Sequence, residues 1–167
     1  MNDEARMNRQ VSVERIFAEN QARLGLTWVA GRHGGSGVLT GEGTLRPTIG
    51  QVGHMNFIHP FRIQILGAAE LAYLRALPES EFQSSMNRLF STELLAIAVA
   101  NGEEVPHHLA EKCDAHHVAL FTSPQPSPHL VDVIRLYLSR VLAESTTLHG
   151  VFLDVLEMGV LVTGASG

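Results

Sequence analysis

The stretch RIQILGAAELAYLRALP (Arg62–Pro78) decides the fold class. Arg62 to Leu66 alternates as a half-buried strand does. After Gly67 the apolar spacing changes to that of a helix through Leu71, Leu74 and Leu77, and Pro78 stops it. A strand handing over to a helix at one glycine is the unit from which layered α/β domains are built. Downstream the unit repeats. Ser80 followed by Gln83 has capping-box spacing and opens a helix carrying Phe82, Met86, Leu89 and Phe90. Leu94 to Ala100 is a continuous apolar run of strand length, the mark of a strand buried on both faces. Pro106 suits the first position of a helix running to about Ala115, and Val118 to Phe121 returns as a strand.

The clearest helix follows, with Ser127 as N-cap and Pro128 in its first position. Leu130, Val133, Ile134, Tyr137, Leu138, Val141 and Leu142 form one apolar stripe, with Asp132, Arg135, Ser139 and Arg140 largely off it. Upstream, Ser12 caps a helix over Val13 to Leu24 that Gly25 stops, and Leu26 to Ala30 is a short strand. Eight of the fifteen glycines fall between Gly31 and Gly53. That density forbids a helix and predicts loops and a twisted hairpin, with Ile49 to Val52 as a strand. The expected fold is therefore α/β: a small domain over residues 11–143 with a mixed, partly parallel sheet flanked by helices, preceded by a disordered tail at 1–10. Glu144 to Thr147 carries no pattern and marks a boundary. Beyond it, Val151 to Val155 and Val160 to Thr163 read as two strands joined by a turn at Glu157-Met158-Gly159.

Composition narrows the function classes. The 167 residues are 45% hydrophobic with a mean hydropathy of +0.09, too apolar for a disordered chain. Twelve basic residues against seventeen acidic ones give a formal charge of -5, which argues against sequence-independent nucleic-acid binding. The lone cysteine, Cys113, excludes an internal disulfide framework and suits a reducing compartment. No apolar run approaches the ~18 residues that span a bilayer, and Met1 to Gln10 lacks the apolar stretch of a signal peptide. A cytoplasmic protein without membrane attachment is expected.

The residues that could carry chemistry are few. Gly164-Ala165-Ser166-Gly167 follows an apolar strand directly. A phosphate loop uses this arrangement, because a buried strand delivers the chain to a glycine-rich turn whose N–H groups face anionic oxygens. A plain strand-ending turn is the ordinary reading of so short a fragment. The lysine that reaches the β- and γ-phosphates, and the hydroxyl that holds Mg2+, would both follow Gly167, and no Lys or Arg stands between Val141 and Gly167. His149 lies just before the first strand, where it either caps the strand or stands beside bound phosphate for proton transfer. His107, His108, His116 and His117 surround Cys113, but one cysteine and a splayed histidine pair do not make a zinc site, and solvated helix-end histidines are expected. His54 and His59 read as loop or strand-end residues. Gly34-Gly35-Ser36-Gly37 reads as a flexible loop, Glu79, Glu81, Glu103 and Glu104 as solvated charges, and Trp28 as a core or interface residue.

The order of these features resembles a known family. Val11-Ser12-Val13, Gly53-His54-Met55-Asn56-Phe57-Ile58-His59-Pro60, Ile63-Gln64-Ile65-Leu66-Gly67 with Glu70, Tyr73 and Leu74, and Val99-Ala100-Asn101-Gly102 are similar to the amino-terminal domain of HPr kinase/phosphorylase. The blocks His149 to Val155 and Gly159 to Gly167 resemble that family's run into its phosphate loop. The resemblance implies an enzyme that phosphorylates a serine of the phosphocarrier HPr with ATP or pyrophosphate, and removes the phosphate by attack of inorganic phosphate. It implies Mg2+, a homohexamer, His149 as an active-site residue and Gly164, Ala165, Ser166 and Gly167 as nucleotide-loop residues. It also implies that residues 144–167 are a linker and the first hairpin of a P-loop kinase domain cut inside its loop, so that the chain by itself is inactive. Glu157 stands where many members have glycine. The alternative is a stand-alone ligand-sensing or interaction module without catalysis.

Overall fold

The computed structural model describes residues 10–41, 56–58, 62–143, 150–155 and 158–163. In chain order the elements are β1 (Gln10–Ser12), α1 (Val13–Leu24), β2 (Thr27–Ala30), a 3-10 turn (Arg32–Ser36), β3 (Val38–Thr40), β4 (Asn56–Ile58), β5 (Ile63–Leu66), α2 (Ala68–Ala76), α3 (Glu79–Phe90), β6 (Ala96–Val99), α4 (His107–His116), β7 (Ala119–Thr122), α5 (Ser127–Val141), β8 (Gly150–Val155) and β9 (Met158–Thr163). The chain is α/β, as expected. A five-stranded sheet runs in the order β2-β7-β6-β5-β4. Its centre is parallel, Ile63 pairing with Ala96 and Ala96 with Ala119, while β2 and β4 are antiparallel edges.

Alternation along the strands divides the core into two layers. Ile63 and Ile65, Ala96 and Ala98, and Ala119 and Phe121 face α1 and α5, where they pack on Val13, Ile16, Leu24, Leu130, Ile134 and Leu138. Leu66, Ile97, Val99 and Leu120 face α2, α3 and α4, meeting Leu71, Leu74, Met86, Leu89, Leu109 and Cys113. Strands covered on both faces lose their polar positions, which is why β6 is Ala-Ile-Ala-Val and wholly buried. Gln64 of β5 is the exception. It is fully buried, its Nε2 donates to the Ile65 carbonyl at 2.8 Å, and its Oε1 has no partner.

Several local expectations hold and several need correction. Ser12 accepts from the Arg15 N–H at 3.2 Å, and Gly25 closes α1 at φ 61°. The Ser80 cap is wrong: α3 begins at Glu79 after Pro78, and Gln83 Nε2 donates to Glu79 Oε1 at 2.8 Å. Ser127 is likewise inside α5, with Pro126 at the cap position. Pro106 also stands outside its helix, as the cap of α4. The predicted strand Ile49–Val52 lies outside the described residues. In the glycine-rich region, β3 pairs with β1, Gln10 opposite Thr40. Gly34 to Gly37 is no flexible loop. The chain there forms the 3-10 turn, with Gly34 and Gly35 buried. A Cβ at Gly34 would stand 2.3 Å from the His117 carbonyl oxygen, so glycine is there to let two backbones touch.

Candidate functional site

Hairpin β8–β9 leads into the segment whose sequence suggests a phosphate loop. Its strands are rich in Val, with Leu, Phe and Thr, residues that favour extended backbone. They pair antiparallel from Gly150 opposite Thr163 to Val155 opposite Met158. This register corrects the predicted turn. Met158 and Gly159 are already paired with Val155 and Asp154, so the connection contains only Leu156 and Glu157. Two residues is the commonest hairpin loop length, and Gly159, although glycine usually marks the turn itself, is a strand residue here. Leu156, Glu157, His149, Gly164, Ala165, Ser166 and Gly167 lie outside the described residues, as do His54 and His59. The register nevertheless sets which ends of the strands meet: the Gly150–Thr163 pair closes the end at which the chain continues to His149 on one side and Gly164 on the other.

The other histidines do not gather around Cys113. His107 and His108 open α4 and lie 3.7 and 3.4 Å from the Glu111 carboxylate, both well exposed. His116 packs on Phe90, with ring centres 4.9 Å apart, and His117 turns toward His33. Cys113 points into the core between the sheet and α4. Burial, helped by the Asp114 carboxylate, pushes its thiol up to about 12. A thiol so held is neutral at physiological pH and a poor nucleophile or metal ligand. Among the described residues no three His, Cys, Asp or Glu side chains converge as a metal site.

The acidic candidates sit on the surface. Glu79 holds Gln83, and Glu103 lies 3.4 Å from Arg75. Trp28 is a packing residue, edge-on to Phe17 and Phe121 at 5.1 and 4.9 Å, with its indole N–H donating to the Ala30 carbonyl at 2.8 Å. Between α1 and α5, the Arg15 guanidinium hydrogen-bonds the Glu19 carboxyl at 2.7 Å and holds it below its usual range. Burial and the same carboxylate push the Tyr137 phenol up to about 12.

The carboxyl ends of β5, β6 and β7 carry Gly67, Asn101-Gly102 and Ser123 to Ser127, at the edge where open α/β sheets hold ligands. The sequence offered these blocks singly and gave no sign that they meet in one cluster. Here the polar groups turn on one another. The Gly67 N–H donates to Glu70 Oε2 at 2.9 Å, the Gly102 N–H to the Ser123 carbonyl at 2.9 Å, and the Ser127 N–H to Asn101 Oδ1 at 3.2 Å. The Asn-Gly pair, with both residues at positive φ, was the available signal of a turn. These contacts tie the loops together and account for their amides without a ligand.

Residues 11–138 match the family described as HPr Serine kinase N terminus. The chain belongs to the HPr kinase/phosphorylase family. It is 50% identical to the HPr kinase/phosphorylase of Chromobacterium violaceum over 156 residues, covering 93% of this chain and 49% of that protein. The HPr kinase/phosphorylase of Neisseria meningitidis serogroup C is 45% identical over 94% of the chain and 49% of its own length. That of Azoarcus sp. is 46% identical over 95% and 50%. The chain thus spans about half the length of the curated relatives it matches. The described sheet and its helices fall largely within the matched amino-terminal region, and β8–β9 lies after it. No helix among the described residues is long and apolar enough to cross a membrane.

Proposed function

We propose that this chain is the amino-terminal half of an HPr kinase/phosphorylase. In this reading the whole protein phosphorylates a serine of HPr with ATP or pyrophosphate and Mg2+, and removes that phosphate by phosphorolysis, acting in the cytoplasm as a homohexamer. Residues 11–143 are its amino-terminal domain, and residues 144–167 are the linker and first hairpin of its kinase domain. The observation that carries the reading is the match of residues 11–138 to the HPr Serine kinase N terminus, and the β8–β9 register adds to it. Gly150 is opposite Thr163, and in the sequence His149 precedes the one and Gly164 follows the other. That supports a site in which backbone N–H groups of Gly164, Ala165, Ser166 and Gly167 cradle phosphate oxygens, while the His149 imidazole transfers a proton or stabilises charge beside them.

The residues in hand fit only the backbone half of a nucleotide site. A nucleotide loop also needs a lysine on the β- and γ-phosphates and a following hydroxyl on Mg2+. Residues 142–167 contain no Lys or Arg, and Lys112 belongs to α4. No catalytic step is therefore assigned to this chain alone, and its ATP binding is expected to be much weaker than micromolar.

The test is to assay the full-length product of the gene that encodes this chain. Purified HPr is incubated with radiolabelled ATP and Mg2+, and phospho-HPr with inorganic phosphate. Both reactions are expected, and His149→Ala should slow both by about 10²–10⁴-fold, the usual loss on removing an acid–base group. Unchanged rates in that variant remove His149 from the site. A wild-type protein that leaves HPr unlabelled sinks the reading and favours the non-catalytic module.

A further inference from the structure

His33 and His117 come from distant parts of the chain, yet their rings lie 5.6 Å apart between centres, with planes at 85°. Both side chains are exposed. Backbone packing sets their spacing. Gly34 brings the 3-10 turn within touching distance of the His117 carbonyl, and the Gly31 N–H donates to Asp114 Oδ1 at 2.6 Å. The two histidine Cα positions are thus fixed by contacts in which neither imidazole takes part. His117 is held by the end of its helix as well. It closes α4 in the left-handed region, at φ 56°, where glycine is the ordinary residue and an L side chain is disfavoured.

We propose that His33 and His117 form a two-histidine site for a divalent transition-metal ion of the zinc, nickel or copper kind. Neutral imidazole suits these ions. With metal–nitrogen bonds of about 2.0–2.1 Å, two imidazoles on one four-coordinate ion hold their ring centres about 5.2 Å apart at the ideal tetrahedral angle and about 5.6 Å apart when the angle at the metal opens to ~120°. The observed spacing falls in that range, and near-perpendicular planes are compatible because each ring can turn about its metal–nitrogen bond. The neighbouring charges are otherwise engaged. Asp114 holds the Gly31 amide, and the Arg32 guanidinium lies over the Trp28 ring, 5.1 Å from its centre. With two protein ligands the ion keeps open positions for water or an outside donor, unlike a closed structural site. The site lies on the first domain and is independent of the kinase reading.

The full chain is titrated with Zn2+ by calorimetry while the histidine ring signals are followed by NMR. One equivalent should bind with a Kd in the micromolar range, and the His33 and His117 signals should move together. His33→Ala and His117→Ala should each weaken binding at least tenfold, and the double variant should be no weaker than either single one, because both residues complete one chelate. His117→Gly separates binding from folding, since glycine favours the left-handed turn. That variant should match or exceed the parent in thermal stability and still lose the ion. The paired replacement of His107 and His108 by Ala should leave this equivalent unchanged. Absence of binding at 1 mM Zn2+, additive losses from His33→Ala and His117→Ala, or retained binding in His117→Gly would each overturn the proposal.

Discussion

Gly31 and Gly102 share a backbone angle, φ 66°, and differ in what surrounds them. A Cβ at Gly31 would lie 1.7 Å from the Val118 carbonyl oxygen, whereas one at Gly102 would meet nothing within 4 Å. Gly102→Ala should therefore cost only the left-handed penalty, about 1–2 kcal/mol. Gly31→Ala should cost about 3 kcal/mol or more, because the backbone it strikes belongs to the junction of α4 and β7. Urea unfolding of both variants checks this, and equal losses would show that the close approach at Gly31 relaxes freely. Cys113 sets a different prediction. Its thiol loses its proton near pH 9.0 when unfolded and near 12 when folded. Between those values the unfolded chain has released a proton that the native chain keeps, so stability falls as pH rises, by a little over ~1 kcal/mol per pH unit. Below about pH 8 this group has almost no effect. Comparing urea unfolding of the parent and Cys113→Ala from pH 8 to 10.5 isolates the contribution; parallel curves would count against it.

At the level of elements, the start of α5 shows how a helix can be capped from a distance. Pro126 offers no side-chain acceptor, and the Ser127 N–H is satisfied by Asn101 from the β6 loop. Asn101→Ala should cost about 1–2 kcal/mol, from a lost cap and a left-handed alanine. Asn101→Asp should be neutral or slightly stabilising, with a salt dependence, because a carboxylate suits the positive end of a helix. Equal unfolding midpoints for the two variants would exclude the cap. The same geometry explains what the sequence could reveal. Ser12 and Gly25 act within one turn of α1, and both ends of that helix were legible. Leu94 to Ala100 was legible as a buried strand because burial on both faces removes alternation. The start of α5 was not, because its acceptor lies 26 residues away. Gly34 read as loop because its partner, the His117 carbonyl, is remote in the chain. For the candidate site, the strand-then-glycine pattern picked out Gly164 to Gly167 and the place of His149, family resemblance chose a nucleotide loop and an active-site histidine over a plain turn and cap, and the register of β8–β9 adds which strand ends meet.

At the scale of the molecule, the described strands have very different support. β5, β6 and β7 lie between two apolar layers, with β5 and β6 wholly buried. Among the described residues, β8 and β9 pair only with each other. A two-stranded hairpin is marginal in water, whereas a sheet covered on both faces opens only with the whole domain. Amide exchange should therefore divide the chain. Peptides covering β5, β6 and β7 should exchange at the global unfolding free energy, about 5 kcal/mol or more for a domain of this kind. Those covering β8 and β9 should exchange with protection near zero. The comparison is made by hydrogen–deuterium exchange and mass spectrometry on the 167-residue chain, with urea unfolding supplying the global value. In the proposed full-length enzyme, β8 and β9 would join a larger sheet and their exchange would slow by orders of magnitude, while β5 to β7 would change little. Equal protection of the hairpin and the central sheet in the 167-residue chain would mean that β8 and β9 draw their stability from the first domain, and the boundary at residues 143–144 would have to move.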